Sequence, residues 1–153
     1  MKRLRIYLVG RITDLPDKGK SWRDNYMKEI NHEIENVEYV GPLVEYTNED
    51  DYLAVIRQDI KLIQKSDVII INAIIPFVLG GPMELLLAKY FNKLVITVLN
   101  DNSPYYKNGK IHPWLKSFSD YTVKSLTEAA EIIEKYQKAE KTICIKAWKD
   151  ILG

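Results

Sequence analysis

The stretch from Ser66 to Lys89, SDVIIINAIIPFVLGGPMELLLAK, constrains this chain more than any other. Val68 to Ile71 is an unbroken apolar run. Such a run reads as a strand covered on both faces, as in a parallel sheet between helices. A loop carrying Gly80 and Gly81 follows, Pro82 stands where a first helical residue would stand, and Glu84 comes two residues later in the first turn of an apolar helix. A carboxylate there lies near the positive end of the helix dipole and stays ionised at little cost. It would stand at the carboxyl edge of a parallel sheet, where open α/β folds bind ligands. That placement suits a nucleophile or a ligand anchor.

Strand and helix signals alternate along the rest of the chain. Strands are expected at Leu4 to Val9, Val37 to Val40, Val68 to Asn72, Leu94 to Leu99 and Tyr121 to Val123. Helices are expected from Ser21, as N-cap, to Glu35, from a cap at Asn48 or Asp50 to about Lys65, from Met83 to Phe91, and from Ser125 to Lys138. In the second helix Leu53, Ile56, Ile60 and Ile63 recur at three and four residues, the spacing of an apolar face. In the last, Ser125 and Glu128 form a capping-box pattern. Asp101 to Pro113 reads as a polar loop. The alternation predicts one α/β domain, a flavodoxin- or Rossmann-like three-layer sandwich on a five-stranded, mainly parallel sheet with right-handed crossovers. Residues 1–140 form that domain. Residues 141–153 form an extension, a final strand plus a helical turn on the core or an arm reaching a neighbouring subunit, with Ile143, Ile145, Trp148 and Ile151 as its apolar contacts.

Composition narrows the function. With 153 residues the chain can bury a sizeable core. A formal net charge of +1, from 22 basic and 21 acidic residues, gives no electrostatic case for nucleic acid or a membrane surface. No apolar run approaches membrane-spanning length, and the run at Ile6 to Val9 is too short for a signal peptide, so a cytoplasmic setting is expected. Cys144 stands alone, which excludes an intrachain disulfide. His32 and His112 lie far apart, so no metal site is expected. Gly10 lacks the further glycines of a dinucleotide loop, and no cofactor is expected.

The chemistry-bearing residues come in a fixed succession. The first strand ends Tyr7-Leu8-Val9-Gly10-Arg11, and Trp22-Arg23 opens the first helix. Gly41-Pro42-Leu43 follows the second strand. Asp59 lies in the helical phrase IRQDIKLIQKSD, and Glu84 in GGPMELLLAKYFNKLVITV. His112-Pro113-Trp114-Leu115 precedes the last strand. Taken together, from Leu4 to Ile133, this order resembles the nucleoside 2-deoxyribosyltransferase family, whose superfamily includes hydrolases of nucleoside 5′-monophosphates. The resemblance implies that Glu84 is the nucleophile that forms a glycosyl ester, that Asp59 orients sugar and nucleophile, and that Tyr7 lines the sugar site. It implies that the backbone around Gly10, with Gly80 and Gly81, faces substrate, and that neighbouring subunits of a homodimer or larger assembly complete each site. Tyr105, Tyr106, Trp114 and the tail are candidates for that interface.

Breaking a sugar–base bond passes through an oxocarbenium-like state, which a carboxylate beneath the anomeric carbon stabilises or traps; retaining glycosidases hold two carboxyl groups about 5 Å apart for comparable work. The sequence departs from the family pattern at Val78. There, six positions before the nucleophile, the transferases carry an acid that contacts the base. Leaving-group protonation must then come from elsewhere. Three readings follow: deoxyribosyl transfer between bases, hydrolysis of a nucleoside 5′-monophosphate, and noncatalytic nucleotide binding. Arg11, Lys18, Lys20 and Arg23 are either a solvated basic face or phosphate contacts, and Trp22 either packs or stacks on a base.

Overall fold

A computed structural model describes residues 1–12, 14–43 and 51–153. In it the apolar run becomes the middle strand of a five-stranded sheet. The elements are β1 (Leu4–Val9), α1 (Lys20–Glu33), β2 (Val37–Gly41), α2 (Tyr52–Lys65), β3 (Val68–Asn72), α3 (Gly80–Tyr90), β4 (Leu94–Val98), β5 (Tyr106–Lys107), β6 (Lys110–Ile111), α4 (Pro113–Phe118), β7 (Tyr121–Val123), α5 (Leu126–Gln137) and α6 (Trp148–Leu152). The strand order is β2-β1-β3-β4-β7, and all four pairings are parallel. The fold is thus a Rossmann-like three-layer α/β sandwich. The chain starts at β1, goes outward to β2, and returns past β1 to β3, so the topological switch falls between β1 and β3.

The alternation of side chains along each strand divides the core into two layers. Leu4, Ile6, Leu8, Val68 and Ile70 meet α1 and α5 through Tyr26, Ile30, Ala129 and Ile133. Tyr7, Val9, Ile69 and Ile71 meet α2 and α3 through Ile63, Leu85 and Ala88. Val68 to Ile71 are fully buried, at about 1.5–3 kcal/mol of stabilisation per large apolar side chain.

Several local features differ from the sequence expectation, each for a physical reason. Helix α1 begins at Lys20 and is led by Gly19, in a left-handed conformation, rather than capped by Ser21. The Asp17 carboxylate accepts from the Gly19 and Ser21 N–H groups at 2.9 and 2.8 Å and does the capping from outside the helix. Asn48 and Asp50 lie outside the described residues; among the described ones, Asp51 caps α2 through the Ala54 N–H at 3.1 Å. On α2 the Leu53 and Ile56 stripe faces outward, half exposed, while Val55, Asp59, Leu62 and Ile63 turn toward the sheet. Helix α3 begins at Gly80, so Pro82 is its third residue. The missing Pro82 N–H is one of four that no intrahelical carbonyl would have met. Glu84 therefore lies just past the first turn. The Asp101–Pro113 segment contains the β5–β6 hairpin, and Pro113 opens α4.

The tail forms no strand among the described residues. It runs extended to the short helix α6, and a buried ion pair holds it: Lys89 Nζ lies 2.7 Å from Asp120 Oδ2, both side chains fully buried. Lys89 also donates to the Lys146 carbonyl at 2.9 Å, and the Lys146 N–H donates to Asp120 Oδ1 at 2.7 Å.

Candidate active site

Three side chains named from the sequence converge at the switch point. Tyr7 lies near the carboxyl end of β1, fully buried on the α2–α3 side. Its ring fits because Gly41, opposite it in β2, has no side chain: a Cβ there would stand 3.0 Å from the Tyr7 ring and 2.9 Å from Leu62. The Tyr7 hydroxyl donates a short hydrogen bond to Glu84 Oε2. Asp59 projects from the inward face of α2 and acts electrostatically on both Tyr7 and Glu84. Gly80 lies over the carboxyl, and a Cβ at that position would sit 3.7 Å from Glu84 Oε1.

The electrostatics reverse one expectation. Burial pushes the Glu84 carboxyl up to about 8; the Tyr7 hydrogen bond opposes the shift, Asp59 reinforces it, and Arg23 opposes it again. The helix dipole does not keep Glu84 ionised, because α3 starts too early and desolvation by the surrounding side chains outweighs it. Asp59 is raised to about 6, by burial first, against the pull of Arg23. Burial and the two carboxyls hold the Tyr7 phenol well above its ordinary value, so it stays a proton donor to Glu84. Two carboxyl groups of different proton affinity beside one donor form the kind of cluster that acid–base and nucleophilic chemistry uses.

The other sequence candidates fall into a second group around α1. Trp22 packs its ring on Gly10, where a Cβ would stand 2.6 Å from the ring and 3.3 Å from Asn72 Cβ. The Trp22 Nε1–H donates to the Arg11 carbonyl at 3.0 Å. Gly10 and Trp22 thus form a packed corner at the ends of β1 and β3. Arg11 is gripped by Asp14, with Nε 2.7 Å from Oδ1, and Lys20 by Asp24 at 2.5 Å. Arg23 is 4% exposed, and Gly81 packs against the Phe77 ring. Val78 lies half-buried in the loop before α3. That loop is held from outside: the Phe77 N–H donates to the Tyr105 hydroxyl at 2.5 Å, and the two rings stack at 4.6 Å. His112 is exposed, edge-on to Tyr105.

Sequence reasoning did not single out Tyr39. Its hydroxyl donates to the Pro42 carbonyl, and its phenol is pushed up to about 12, chiefly by burial. The only sequence signal was its place two residues before Gly41. Among the described residues no group of three or more His, Cys, Asp or Glu side chains is arranged to hold a metal ion, and no helix is long and apolar enough to cross a membrane.

No protein-family model and no curated protein matches the sequence. Solved structures match in fold. A 2-deoxyribosyltransferase from Bacillus psychrosaccharolyticus is 17% identical, with a TM-score of 0.58 over 94% of this chain and 98% of that one. A 2-desoxiribosyltransferase from Leishmania mexicana is 20% identical, with a TM-score of 0.56 over 76% of this chain and 73% of that one. A CMP N-glycosidase from Clostridium botulinum is 15% identical, with a TM-score of 0.53 over 86% of this chain and 98% of that one. At such identities the likeness is one of fold.

Proposed function

We propose that this protein is an N-glycosyl-transfer enzyme that cleaves the bond between base and sugar in (deoxy)nucleosides, with Glu84 as nucleophile and 2-deoxyribosyl transfer between bases as its reaction. One observation carries the reading: the half-buried Glu84 carboxyl, hydrogen-bonded by Tyr7 and under the field of Asp59, at the β1–β3 switch of this fold. Ionised Glu84 attacks the anomeric carbon and forms a glycosyl ester. Tyr7 fixes the attacking carboxylate and receives it again when the ester breaks. Asp59 takes a sugar hydroxyl and stabilises positive charge on the ring. The fold likeness to two deoxyribosyltransferases supports the choice of reaction.

Hydrolysis of a nucleoside 5′-monophosphate is the second reading, favoured by the likeness to a CMP N-glycosidase and by the apolar Val78. Against it, Arg11 is already paired with Asp14 and Lys20 with Asp24. Incubation with deoxynucleosides, with and without an acceptor base, and then with deoxynucleotides separates the two. Base exchange and an intact-mass adduct of one deoxyribosyl group on Glu84 are expected. Cleavage of phosphorylated substrates alone replaces transfer with hydrolysis, and binding without turnover leaves a noncatalytic module.

A homodimer or larger assembly belongs to the same proposal. Leu79, Met83, Leu86 and Tyr90 form an exposed, uncharged stripe along α3 at 4-3-4 spacing, a seam suited to an identical helix and continuous with the Glu84 segment. Sedimentation as a monomer at working concentration removes the shared site.

A further inference from the structure

Helix α3 carries Glu84 on a start that its own sequence determines poorly. Leu79, at the N-cap position, makes no side-chain capping bond, and the first turn opens with Gly80-Gly81, the residue type with the most backbone freedom. Yet this turn lies over the Glu84 carboxyl, where a Cβ on Gly80 would sit 3.7 Å from Oε1. What steadies it is the preceding loop. The Phe77 ring rests on Gly81 so closely that a Cβ there would stand 3.2 Å from Cδ1. Phe77 is held in turn by Tyr105, 28 residues further along the chain. Its N–H donates to the Tyr105 hydroxyl at 2.5 Å, and the two rings stack with centroids 4.6 Å apart and planes 21° apart. Tyr105 is itself anchored. Its N–H donates to Ser103 Oγ at 3.2 Å, and its carbonyl accepts from the His112 N–H at 2.8 Å. The buried Ser103 hydroxyl donates to the Ala73 carbonyl. The residues leading into the β5–β6 hairpin thus grip the β3–α3 loop at two points, Ala73 and Phe77.

We infer that Tyr105 is a positioning residue for the nucleophile: through Phe77 it fixes the first turn of α3, and with it the angle at which Glu84 meets the Tyr7 hydroxyl. The inference deepens the glycosyl-transfer reading and rests on it, because it takes Glu84 as the attacking group. The ester forms only when a carboxylate oxygen lies about 3–3.5 Å from the anomeric carbon on the line of attack, and a misplacement of about 1 Å costs on the order of 10²-fold. A helix start built on two glycines offers little steric resistance of its own to such a shift. The stacked rings set the plane of Phe77 against Gly81, and the hydrogen bond to the Phe77 N–H sets the register of the loop. The turn is thereby held without a capping side chain beside the carboxyl.

The test compares Tyr105→Phe, which removes only the hydroxyl, with Tyr105→Leu, which also removes the stacked ring, each alone and combined with Tyr7→Phe. Assays run below the measured unfolding transition of every variant, and Y105F decides if Y105L does not fold. Base exchange between 2′-deoxynucleosides of the common bases is measured at steady state, and ester formation on Glu84 by intact mass. Y105L is expected to lose on the order of 10²-fold in kcat, with kcat/KM falling in step, and Y105F less. In the Tyr7→Phe background, where the hydroxyl contact is already gone, the loss should shrink. Losses that multiply unchanged across the two backgrounds overturn the inference, because a merely structural defect is blind to the Tyr7–Glu84 contact. A rise in KM at full kcat also overturns it and makes Tyr105 a substrate contact. A second readout needs no turnover. The Glu84 carboxyl, carbon-13-labelled and assigned through Glu84→Gln, titrates near pH 8 in wild type and should move off that midpoint in both Tyr105 variants; an unchanged midpoint overturns the inference. If wild type exchanges and cleaves nothing, the glycosyl-transfer reading falls, and the titration alone then decides whether Tyr105 positions this carboxyl.

Discussion

Helix α3 carries two covered ionisable side chains five positions apart, and they are treated in opposite ways. Lys89 faces Asp120, and the pair is closed: Nζ meets a carboxylate oxygen and a carbonyl, while Asp120 also accepts from the Val95 and Lys146 N–H groups at 2.8 and 2.7 Å. Glu84 has Tyr7 as its hydrogen-bond donor, a second carboxyl as its neighbour, and a guanidinium that acts through space. The first arrangement compensates its charges and ties the tail to the sheet edge. The second leaves a carboxyl that neither ionises easily nor finds a full set of partners, which is the condition of a group waiting for substrate. Burial alone does not distinguish structure from function on this helix; satisfaction of the buried charge does.

Substitution of Glu84 by Gln tests the unsatisfied half and has the largest expected effect. Turnover should fall by at least about 10³-fold, as for loss of a nucleophile. Stability should move the other way. In the folded chain Glu84 holds its proton up to about pH 8, against an ordinary value of 4.5. Wild type therefore loses stability as pH rises from about 4.5 to about 8, because the unfolded chain releases that proton first. The glutamine variant has no such loss. Its melting temperature should match wild type below pH 4.5, exceed it increasingly up to pH 8, and hold the gap above. A gap independent of pH would show that Glu84 is not held protonated.

Lys89→Met tests the satisfied half. It leaves Asp120 buried beside two N–H donors with no cation, at a cost of about 3–5 kcal/mol in urea unfolding. Adding Asp120→Asn should restore part of that, since the stranded charge is gone. A loss below 1 kcal/mol for the single variant would make the pair an ornament of the fold rather than its fastening.

The same contrast explains what the sequence disclosed. The continuous apolar run Val68–Ile71 located β3, because a strand covered on both faces has no wet side to encode, and the alternation of strand and helix signals located the other four strands of the main sheet. Glu84, Asp59 and Tyr7 were legible as residue types in a characteristic order. Their convergence depends on the crossing from β1 to β3, which no local pattern specifies. Helix starts were misjudged where two signals compete: Gly80-Gly81 reads as a loop, yet glycine is tolerated in a first turn, and Pro82 loses a donor that had no partner there. The inward face of α2 was read rightly at Ile63 and wrongly at Leu53 and Ile56, which outweigh a lone Asp59 in any apolar count. Lys89 and Asp120 gave no sign at all. A lysine late in a helix is ordinarily solvated, and its partner lies 31 residues away.

Gly10→Ala sharpens the comparison at the corner shared by the two groups of site residues. The added methyl would stand 2.6 Å from the Trp22 ring, which is held by the Arg11 carbonyl on one side and by Gly19, where a Cβ would lie 2.7 Å from Nε1, on the other. Overpacking of about 1–3 kcal/mol is expected. The double variant Gly10→Ala, Trp22→Leu should recover some of it, and strict additivity of the two changes would show that they do not share that contact.

The smallest effect belongs to Tyr7→Phe, and it is the most discriminating. The phenyl ring keeps its packing against Gly41 and Leu62, so the stability change should stay near the about 0.5–1.5 kcal/mol of a single hydrogen bond. The hydroxyl lowers the Glu84 pKa by stabilising its ionised form. Without it the carboxyl should rise above about 8. If catalysis uses ionised Glu84, kcat/KM of wild type climbs with pH through that value, and in Tyr7→Phe the climb should shift to higher pH. Activity should then be reduced at pH 7 and recover substantially on the alkaline plateau. A uniform loss at every pH would mean that Tyr7 contacts the sugar rather than setting the charge of the nucleophile, and the contrast with the closed Lys89–Asp120 pair would then rest on Asp59 and burial alone.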